Sequence, residues 1–156
     1  MVVAANFNSP AQVVIAGSAR GVDGACQRCK ELGAKRAVPL PVSAPFHSPL
    51  MAPARAGMAP VLDALALAGL ACPLYNNVDA APVATATDVR AGLVRQVDSP
   101  VRWVELVERM AADGFDTFVE VGPGTVLSGL VRRIVRGATT VQVGTAAQVE
   151  AYLGKS

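Results

Sequence analysis

A strand, a glycine-rich turn, a helix and a second strand follow one another between residues 117 and 143, and this order constrains the fold most. Residues 117–121 form an apolar run of the type found in buried parallel strands. Gly122-Pro123-Gly124 then leads into a helical pattern over residues 126–136, and residues 139–143 form a second strand-like run. Strands that alternate with helices pair in parallel, so the sequence predicts an α/β protein with helices layered on a parallel sheet.

The rest of the chain adds further strand and helix patterns. Strands are predicted at residues 4–7, 12–16, 37–42 and 73–78, and helices at 21–32, 49–68, 88–97, 100–112 and 149–153. Residues 80–87 are the segment most typical of a loop. The first 42 residues therefore follow the order β-β-α-β, which is four elements of a six-element β-α-β-β-α-β unit without its first strand and helix.

The one histidine of the chain, His47, lies in a proline-rich turn between a predicted strand and a predicted helix. Pro45 and Pro49 flank it and fix the backbone. Neutral imidazole takes up and returns a proton near neutral pH, so a histidine held in a rigid turn is a candidate general base. The alternative for a lone histidine is a packed or surface position without chemistry.

Composition limits the classes of partner. Hydrophobic residues make up 52% of the chain and charged residues 17%, which predicts a well-buried core. A net charge of +2 is too small to indicate nucleic-acid binding. No apolar run approaches the ~20 residues of a membrane span, and the first residues do not have the pattern of a signal peptide. We therefore expect no nucleic-acid or membrane partner and a cytoplasmic location.

Cysteines and glycine-rich turns give no sign of a metal or a cofactor. Cys26 and Cys29 form a C-x-x-C pair on a predicted helix, but there is no second pair and His47 is not at a ligand spacing. Cys72 precedes a strand and is predicted to be a small core residue. The turns at residues 17–21 and 122–124 lack the further residues of a nucleotide-binding loop. We expect neither a metal nor a cofactor.

Seven segments in a fixed order carry a family resemblance. They are NFNSPAQVVIAG from residue 6, GAKR from 33, PFHSPLM from 45, YNNVD from 75, LVRQ from 93, SPVRW from 99 and VEVGPGTVLSGL from 119. Together they span nearly the whole chain. The chain resembles the C-terminal half of the malonyl-CoA:acyl carrier protein transacylases of bacterial fatty-acid synthesis, and more weakly the acyltransferase domains of polyketide synthases.

The resemblance implies an architecture. The family has an α/β-hydrolase-like acyltransferase core with a small ferredoxin-like subdomain inserted into it. Residues 1–42 would be the last part of that small subdomain, truncated at its beginning. Residues 43–156 would be the C-terminal part of the large α/β subdomain.

The resemblance also implies a reaction and roles for three residues. Members transfer a malonyl group from malonyl-CoA to the phosphopantetheine thiol of acyl carrier protein through an acyl-serine. His47 matches the catalytic histidine, and Gln96 matches the position whose backbone carbonyl orients the imidazole. Phe46 would lie beside the acyl α-carbon and exclude the branch methyl of methylmalonyl. The alternatives are an exposed helix residue for Gln96 and a packing anchor for Phe46.

The nucleophile of this reaction is not in the sequence, because no G-x-S-x-G motif occurs. We therefore expect the serine in a missing N-terminal half that activity requires, and expect this chain alone to be inactive. A second hypothesis is a non-catalytic remnant that docks acyl carrier protein, and a third is a fragment of a polyketide synthase acyltransferase.

Overall fold

Six strands and six helices are found in the computed structural model, which describes residues 1–154. The strands are β1 (Val2–Ser9), β2 (Gln12–Gly17), β3 (Leu74–Asn76), β4 (Ala81–Val83), β5 (Thr117–Val121) and β6 (Thr139–Val143). The helices are α1 (Ala19–Glu31), α2 (Ala52–Asp63), α3 (Ala86–Gln96), α4 (Trp103–Ala112), α5 (Val126–Ile134) and α6 (Ala146–Leu153). The predicted α/β content is confirmed.

β5, α5 and β6 form the parallel strand–helix–strand unit that the sequence predicts. β5 and β6 pair in parallel from Thr117 opposite Thr139 to Val121 opposite Val143. The carboxylate of Glu120 accepts hydrogen bonds from the backbone N–H of Leu127 and of Ser128 at 3.0 and 2.8 Å, and so satisfies the first turn of α5.

The other strands form two antiparallel hairpins, β1–β2 and β3–β4. β1 also bonds the segment between α3 and α4. The N–H of Phe7 donates to the carbonyl of Val101, and the N–H of Val101 donates to the carbonyl of Ala5, both at 2.8 Å. This contact fixes the chain that follows α3 against the first hairpin.

The apolar core lies where β1, α4, α5 and β6 meet. Its most buried side chains are Ala5, Leu106, Val107, Leu130, Val131 and Val143. Alanine, valine and leucine dominate this core, as the small aromatic content of the chain requires.

One predicted strand is wrong. Residues 37–42 form neither strand nor helix. Pro39 and Pro41 remove two backbone donors from this segment, which cannot then complete a hydrogen-bonded ladder. The first 42 residues therefore contain β1, β2 and α1, and the fourth element of the predicted β-β-α-β order is absent.

The helix predicted over residues 49–68 is shorter than expected. It begins with a 3₁₀ turn at Pro49–Met51 and continues as α2 to Asp63. The guanidinium of Arg90, on α3, donates to the carbonyls of Leu62 and Leu65 at 2.9 and 2.6 Å. These bonds satisfy carbonyls at the end of α2, so the helix can stop there.

Two further expectations near β3 are corrected. The segment predicted as a loop, residues 80–87, contains strand β4 and the start of α3. Cys72 is exposed and not a core residue. β4 is only three residues long and contains Pro82, so its sequence has too little alternation to indicate a strand.

Cys26 and Cys29 lie on α1 without a disulfide. Within residues 1–154, no three or more His, Cys, Asp and Glu side chains are grouped so that they could hold a metal ion. None of the helices α1 to α6 has the length and apolar character needed to cross a membrane.

Candidate active site around His47

His47 lies in an irregular turn with a strained backbone. Its φ is 57°, which is in the left-handed region that non-glycine residues seldom adopt. The side chain of the next residue, Ser48, is fully buried, and its hydroxyl donates to the carbonyl of Pro45 at 2.6 Å. This bond closes the turn around His47. Strain of this kind persists only where neighbouring contacts hold it, and it concentrates at functional sites.

The imidazole contacts the last residue of α3 and the segment that follows it. Its Nδ1 lies 3.2 Å from the carbonyl oxygen of Ser99 and 3.3 Å from Nε2 of Gln96. Among residues 1–154, both hydrogen-bond partners of the ring are at Nδ1. When Nδ1 carries the hydrogen and donates to Ser99, the lone pair is on Nε2, which is the form that accepts a proton from a nucleophile.

The carbonyl that bonds the imidazole is not the one expected. The resemblance implied the backbone carbonyl of Gln96, whereas the structure brings up the carbonyl of Ser99 and the side chain of Gln96. Gln96 is the last residue of α3, and helical carbonyls point along the helix axis. Ser99 lies three residues later, where the chain has turned towards His47.

Asn77 bonds the amide oxygen of Gln96, which is the end of that amide not in contact with His47. Its Nδ2 donates to Oε1 of Gln96 at 2.6 Å and to the carbonyl of Pro100 at 3.0 Å. Its Oδ1 accepts from the backbone N–H of Arg102 at 2.7 Å. Asn77 thus connects the turn after β3 to both the end of α3 and the start of α4.

The turn that carries Asn77 is held by a second set of bonds. Asn76 accepts from the N–H of Val78 at 2.8 Å and donates to Asp79 at 3.0 Å. Arg95 binds both carboxylate oxygens of Asp79 at 2.8 and 2.7 Å. This hydrogen bonding from Arg95, reinforced by the charges of Arg95 and Arg102, holds the pKa of Asp79 below its usual value.

The segment that supplies the Ser99 carbonyl is tied to α2. A guanidinium nitrogen of Arg55 lies 3.4 and 3.3 Å from the two carboxylate oxygens of Asp98. Asp98 is mostly buried, with 14% of its side-chain surface exposed. The His47 turn leads through the 3₁₀ turn at Pro49–Met51 into α2, so this ion pair ties the segment with the Ser99 carbonyl to the helix that follows His47.

The structure therefore brings His47 and Gln96 into contact, and Phe46 lies next to His47 with 48% of its surface exposed. Sequence reasoning gave no role to Asn77 or to the Ser99 carbonyl. The signal available for Asn77 was a pair of asparagines and an aspartate directly after a strand, residue types whose side chains commonly bond nearby backbone.

The comparisons with known proteins agree with one another. The model of a family described as acyl transferase domain matches residues 1–151. The malonyl CoA-acyl carrier protein transacylase of Haemophilus influenzae is 48% identical over 151 residues, which are 97% of this chain and 48% of that protein. The transacylase of the same name from Bacillus subtilis is 44% identical over 150 residues, covering 96% and 47%.

Solved structures give the same result. A malonyl-transacylase in complex with a type II polyketide synthase acyl-carrier protein matches with a TM-score of 0.95 and 43% identity, over 100% of this chain and 50% of that one. The acyl-carrier-protein S-malonyltransferase of Burkholderia pseudomallei matches with a TM-score of 0.94 and 44% identity, over 99% and 50%. The chain spans about half the length of the relatives it matches.

Proposed function

The chain belongs to the acyl transferase domain family, and from that premise we propose that it supplies the histidine side of the active site of an acyl-carrier-protein S-malonyltransferase. The observation that carries the proposal is the position of the imidazole. Nδ1 of His47 faces a backbone carbonyl, which leaves Nε2 for the proton of a nucleophile. The relatives named above carry this activity in their names.

The proposed reaction has two half-reactions with one histidine. A serine from the remaining half of the enzyme attacks the thioester carbonyl of malonyl-CoA, and Nε2 of His47 takes its proton. The imidazolium returns that proton to the departing coenzyme A thiolate, which leaves a malonyl-serine ester. The phosphopantetheine thiol of acyl carrier protein then attacks the ester, its proton passes to His47 and on to the serine oxygen, and the malonyl thioester forms. No cofactor takes part in these steps, and the proposed setting is the cytoplasm.

Phe46 and Gln96 have proposed roles beside this chemistry. Phe46 precedes His47 directly, and an aromatic ring there would leave little room for a methyl branch on the acyl α-carbon. Phe46→Ser should then raise the specificity constant for methylmalonyl relative to malonyl transfer, because discrimination is a difference in transition-state binding. Gln96 would hold the orientation of the imidazole ring through its contact at Nδ1, the nitrogen that does not take the proton.

We also propose the domain assignment that the family implies. β1, β2 and α1 would be the last part of a ferredoxin-like subdomain that ends at residue 42. Residues 43–156 would be part of an α/β-hydrolase-like subdomain, in which β5 and β6 continue a larger parallel sheet. The parallel pairing of β5 and β6 supports this assignment.

The test is reconstitution. The chain is mixed or co-expressed with the part of the Haemophilus influenzae relative that lies outside the matched region, and malonyl transfer to acyl carrier protein is measured. We expect transfer in the mixture and a loss of about a hundredfold or more with His47→Ala, because the general base is gone. Ser43→Ala, an exposed residue of the same loop, is the matched control and should retain the parent rate.

Two outcomes would contradict the proposal. One is transfer by the His47→Ala mixture within a few-fold of the parent mixture. The other is a stoichiometric malonyl adduct on this chain by intact-mass spectrometry, because the acyl group should reside on the serine of the other half. A mixture that binds acyl carrier protein without transferring malonyl would favour the non-catalytic docking module.

A further inference from the structure

We infer that Asn77 is a positioning residue that holds the Gln96 amide with its N–H towards His47, so that the tautomer of the imidazole is set by competition between Gln96 and the Ser99 carbonyl. The inference rests on the proposed function of His47 as a base, since it concerns which ring nitrogen is free. It assigns Asn77 and the Gln96 side chain a role that neither the sequence nor the family resemblance implied.

Two backbone groups fix the orientation of the Asn77 side chain, because each can only donate or only accept a hydrogen bond. The backbone N–H of Arg102 can only donate, so the atom of Asn77 that it meets at 2.7 Å is the carbonyl oxygen Oδ1. The carbonyl of Pro100 can only accept, so the atom of Asn77 at 3.0 Å from it is the amide nitrogen Nδ2. The orientation of the Asn77 amide is therefore fixed from both ends.

The orientation of Asn77 fixes that of Gln96. Nδ2 of Asn77 is a donor, so the Gln96 atom at 2.6 Å from it must accept and is Oε1. The remaining atom of that amide, the donor Nε2, then faces Nδ1 of His47 at 3.3 Å. If the Gln96 amide were flipped, its NH₂ group would face the NH₂ group of Asn77. Two donors facing each other in a half-buried cluster are unfavourable, because neither finds an acceptor there.

Nδ1 of His47 therefore has a donor and an acceptor at nearly equal distances, 3.3 Å from Gln96 and 3.2 Å from Ser99. A neutral imidazole can satisfy only one of them. With hydrogen on Nδ1 it donates to Ser99, and Nε2 is free to act as a base. With hydrogen on Nε2 it accepts from Gln96 and cannot take a proton from a nucleophile. Gln96, as oriented by Asn77, thus stabilises the Nε2–H tautomer at rest, whereas the proposed reaction proceeds from the Nδ1–H tautomer that donates to Ser99.

Because His47 is the sole histidine, one experiment reports on it without overlap. The chain is labelled with ¹⁵N at histidine only, and the ring nitrogen shifts are recorded at a pH where the imidazole is neutral. Gln96→Glu keeps an acceptor for Asn77 but presents an oxygen to Nδ1. Asn77→Asp keeps the acceptor for Arg102 but removes the donor to Gln96, so the Gln96 amide should rotate and present Oε1.

Both variants should raise the ratio of the Nδ1–H to the Nε2–H tautomer by about tenfold, which corresponds to one hydrogen bond of ordinary net strength. Gln27→Glu, on the exposed face of α1, introduces the same charge and should leave the ratio unchanged. In the parent, the side-chain NH₂ protons of Gln96 should show nuclear Overhauser contacts to Hε1 of His47. This last measurement needs no variant to fold.

An unchanged ratio in Gln96→Glu would overturn the competition at Nδ1. A shift in Gln96→Glu without one in Asn77→Asp would overturn the role of Asn77. Missing Overhauser contacts in the parent, or ring shifts equal to those of a free histidine peptide, would overturn both the competition at Nδ1 and the role of Asn77. None of these readouts depends on malonyl transfer, so an inactive reconstituted enzyme with the expected tautomer shifts would count against the proposed function alone.

Discussion

The loop cluster around His47 and the β5–α5–β6 unit are ordered in opposite ways. The loop cluster, defined as residues 45–48, 76–80 and 96–102, contains little regular secondary structure, yet its polar side chains bond one another and nearby backbone. The β5–α5–β6 unit is mostly regular strand and helix, yet it leaves apolar side chains in solvent, with Val121 at 80% and Val126 at 71% exposure.

The difference follows from the range of the forces involved. A hydrogen bond needs one partner at about 3 Å with the right direction, and a few residues of one chain can provide it. Apolar burial needs covering area, and its free energy grows with that area. The alignment of His47 can therefore be complete within this chain while the surface of its parallel sheet is not covered by residues 1–154.

The largest expected effect is that of Gly92→Ala, which tests whether the loop cluster is rigid. A β-carbon at Gly92 would lie 2.2 Å from Nδ2 of Asn76, a buried side chain held by its own bonds. The clash should lower the free energy of unfolding by about 3 kcal/mol, at the upper end of overpacking effects. Urea denaturation of the parent and the variant measures it.

Gly57→Ala on α2 is the matched control for that substitution. Nothing lies within 4 Å of the β-carbon it would add. Replacing an unhindered helical glycine should raise the free energy of unfolding by about 0.5–1 kcal/mol. If the two alanines had similar effects, the packing around Asn76 would be loose and the contrast between the two regions would fail.

Ser48→Ala should have the next largest effect. Its hydroxyl is fully buried and donates to Pro45, so its loss leaves a carbonyl without a donor. We expect a loss of about 1–2 kcal/mol in the free energy of unfolding. Ser43→Ala, at an exposed serine of the same loop, should change it by less than about 0.5 kcal/mol. Equal values for both serines would show that the turn is not held by this bond.

The sequence predicted the two regions unequally, for the same physical reason. The bounds of β5 and β6 followed from short strand-like runs between turn residues, because such patterns are local. The contacts of His47 with Ser99 and Gln96 join residues about 50 positions apart, and no local pattern encodes which carbonyl arrives. The family resemblance predicted that His47 and Gln96 belong together, but it did not predict the side-chain contact.

A smaller effect, and one that depends on pH, is expected for Glu120→Gln in the regular unit. The hydroxyl and N–H of Ser128 hold the pKa of the Glu120 carboxyl below its usual value. A depressed folded-state pKa means that the carboxylate contributes stability above the unfolded pKa, and that this contribution is lost as pH falls through the folded pKa. Parent and variant should therefore differ most near neutral pH and converge in acid, as urea midpoints between pH 7 and pH 3 would reveal.

Glu108→Gln removes an equal charge from an exposed site on α4 and is the control for that series. The difference in urea midpoint between Glu108→Gln and the parent should not shrink in acid as the difference for Glu120→Gln does. Should both glutamine variants follow one curve, the loss in acid would come from net charge and not from the bonds that Glu120 makes to the start of α5.

The smallest expected effect on the free energy of unfolding is that of Val121→Thr. A small effect is expected because this face of β5 is not covered by residues 1–154 in the chain alone. Val121 is 80% exposed, so exchanging a methyl group for a hydroxyl there removes little buried apolar area. The free energy of unfolding of the chain alone should change by less than about 0.5 kcal/mol. Val107→Thr makes the same exchange at a side chain with no exposed surface and should cost about 1–3 kcal/mol, because the hydroxyl is taken out of water. Both are measured by urea denaturation at several protein concentrations.

A cost for Val121→Thr as large as that for Val107→Thr would mean that the face of β5 is covered in solution. Dependence of that cost on protein concentration would identify a second copy of the chain as the cover.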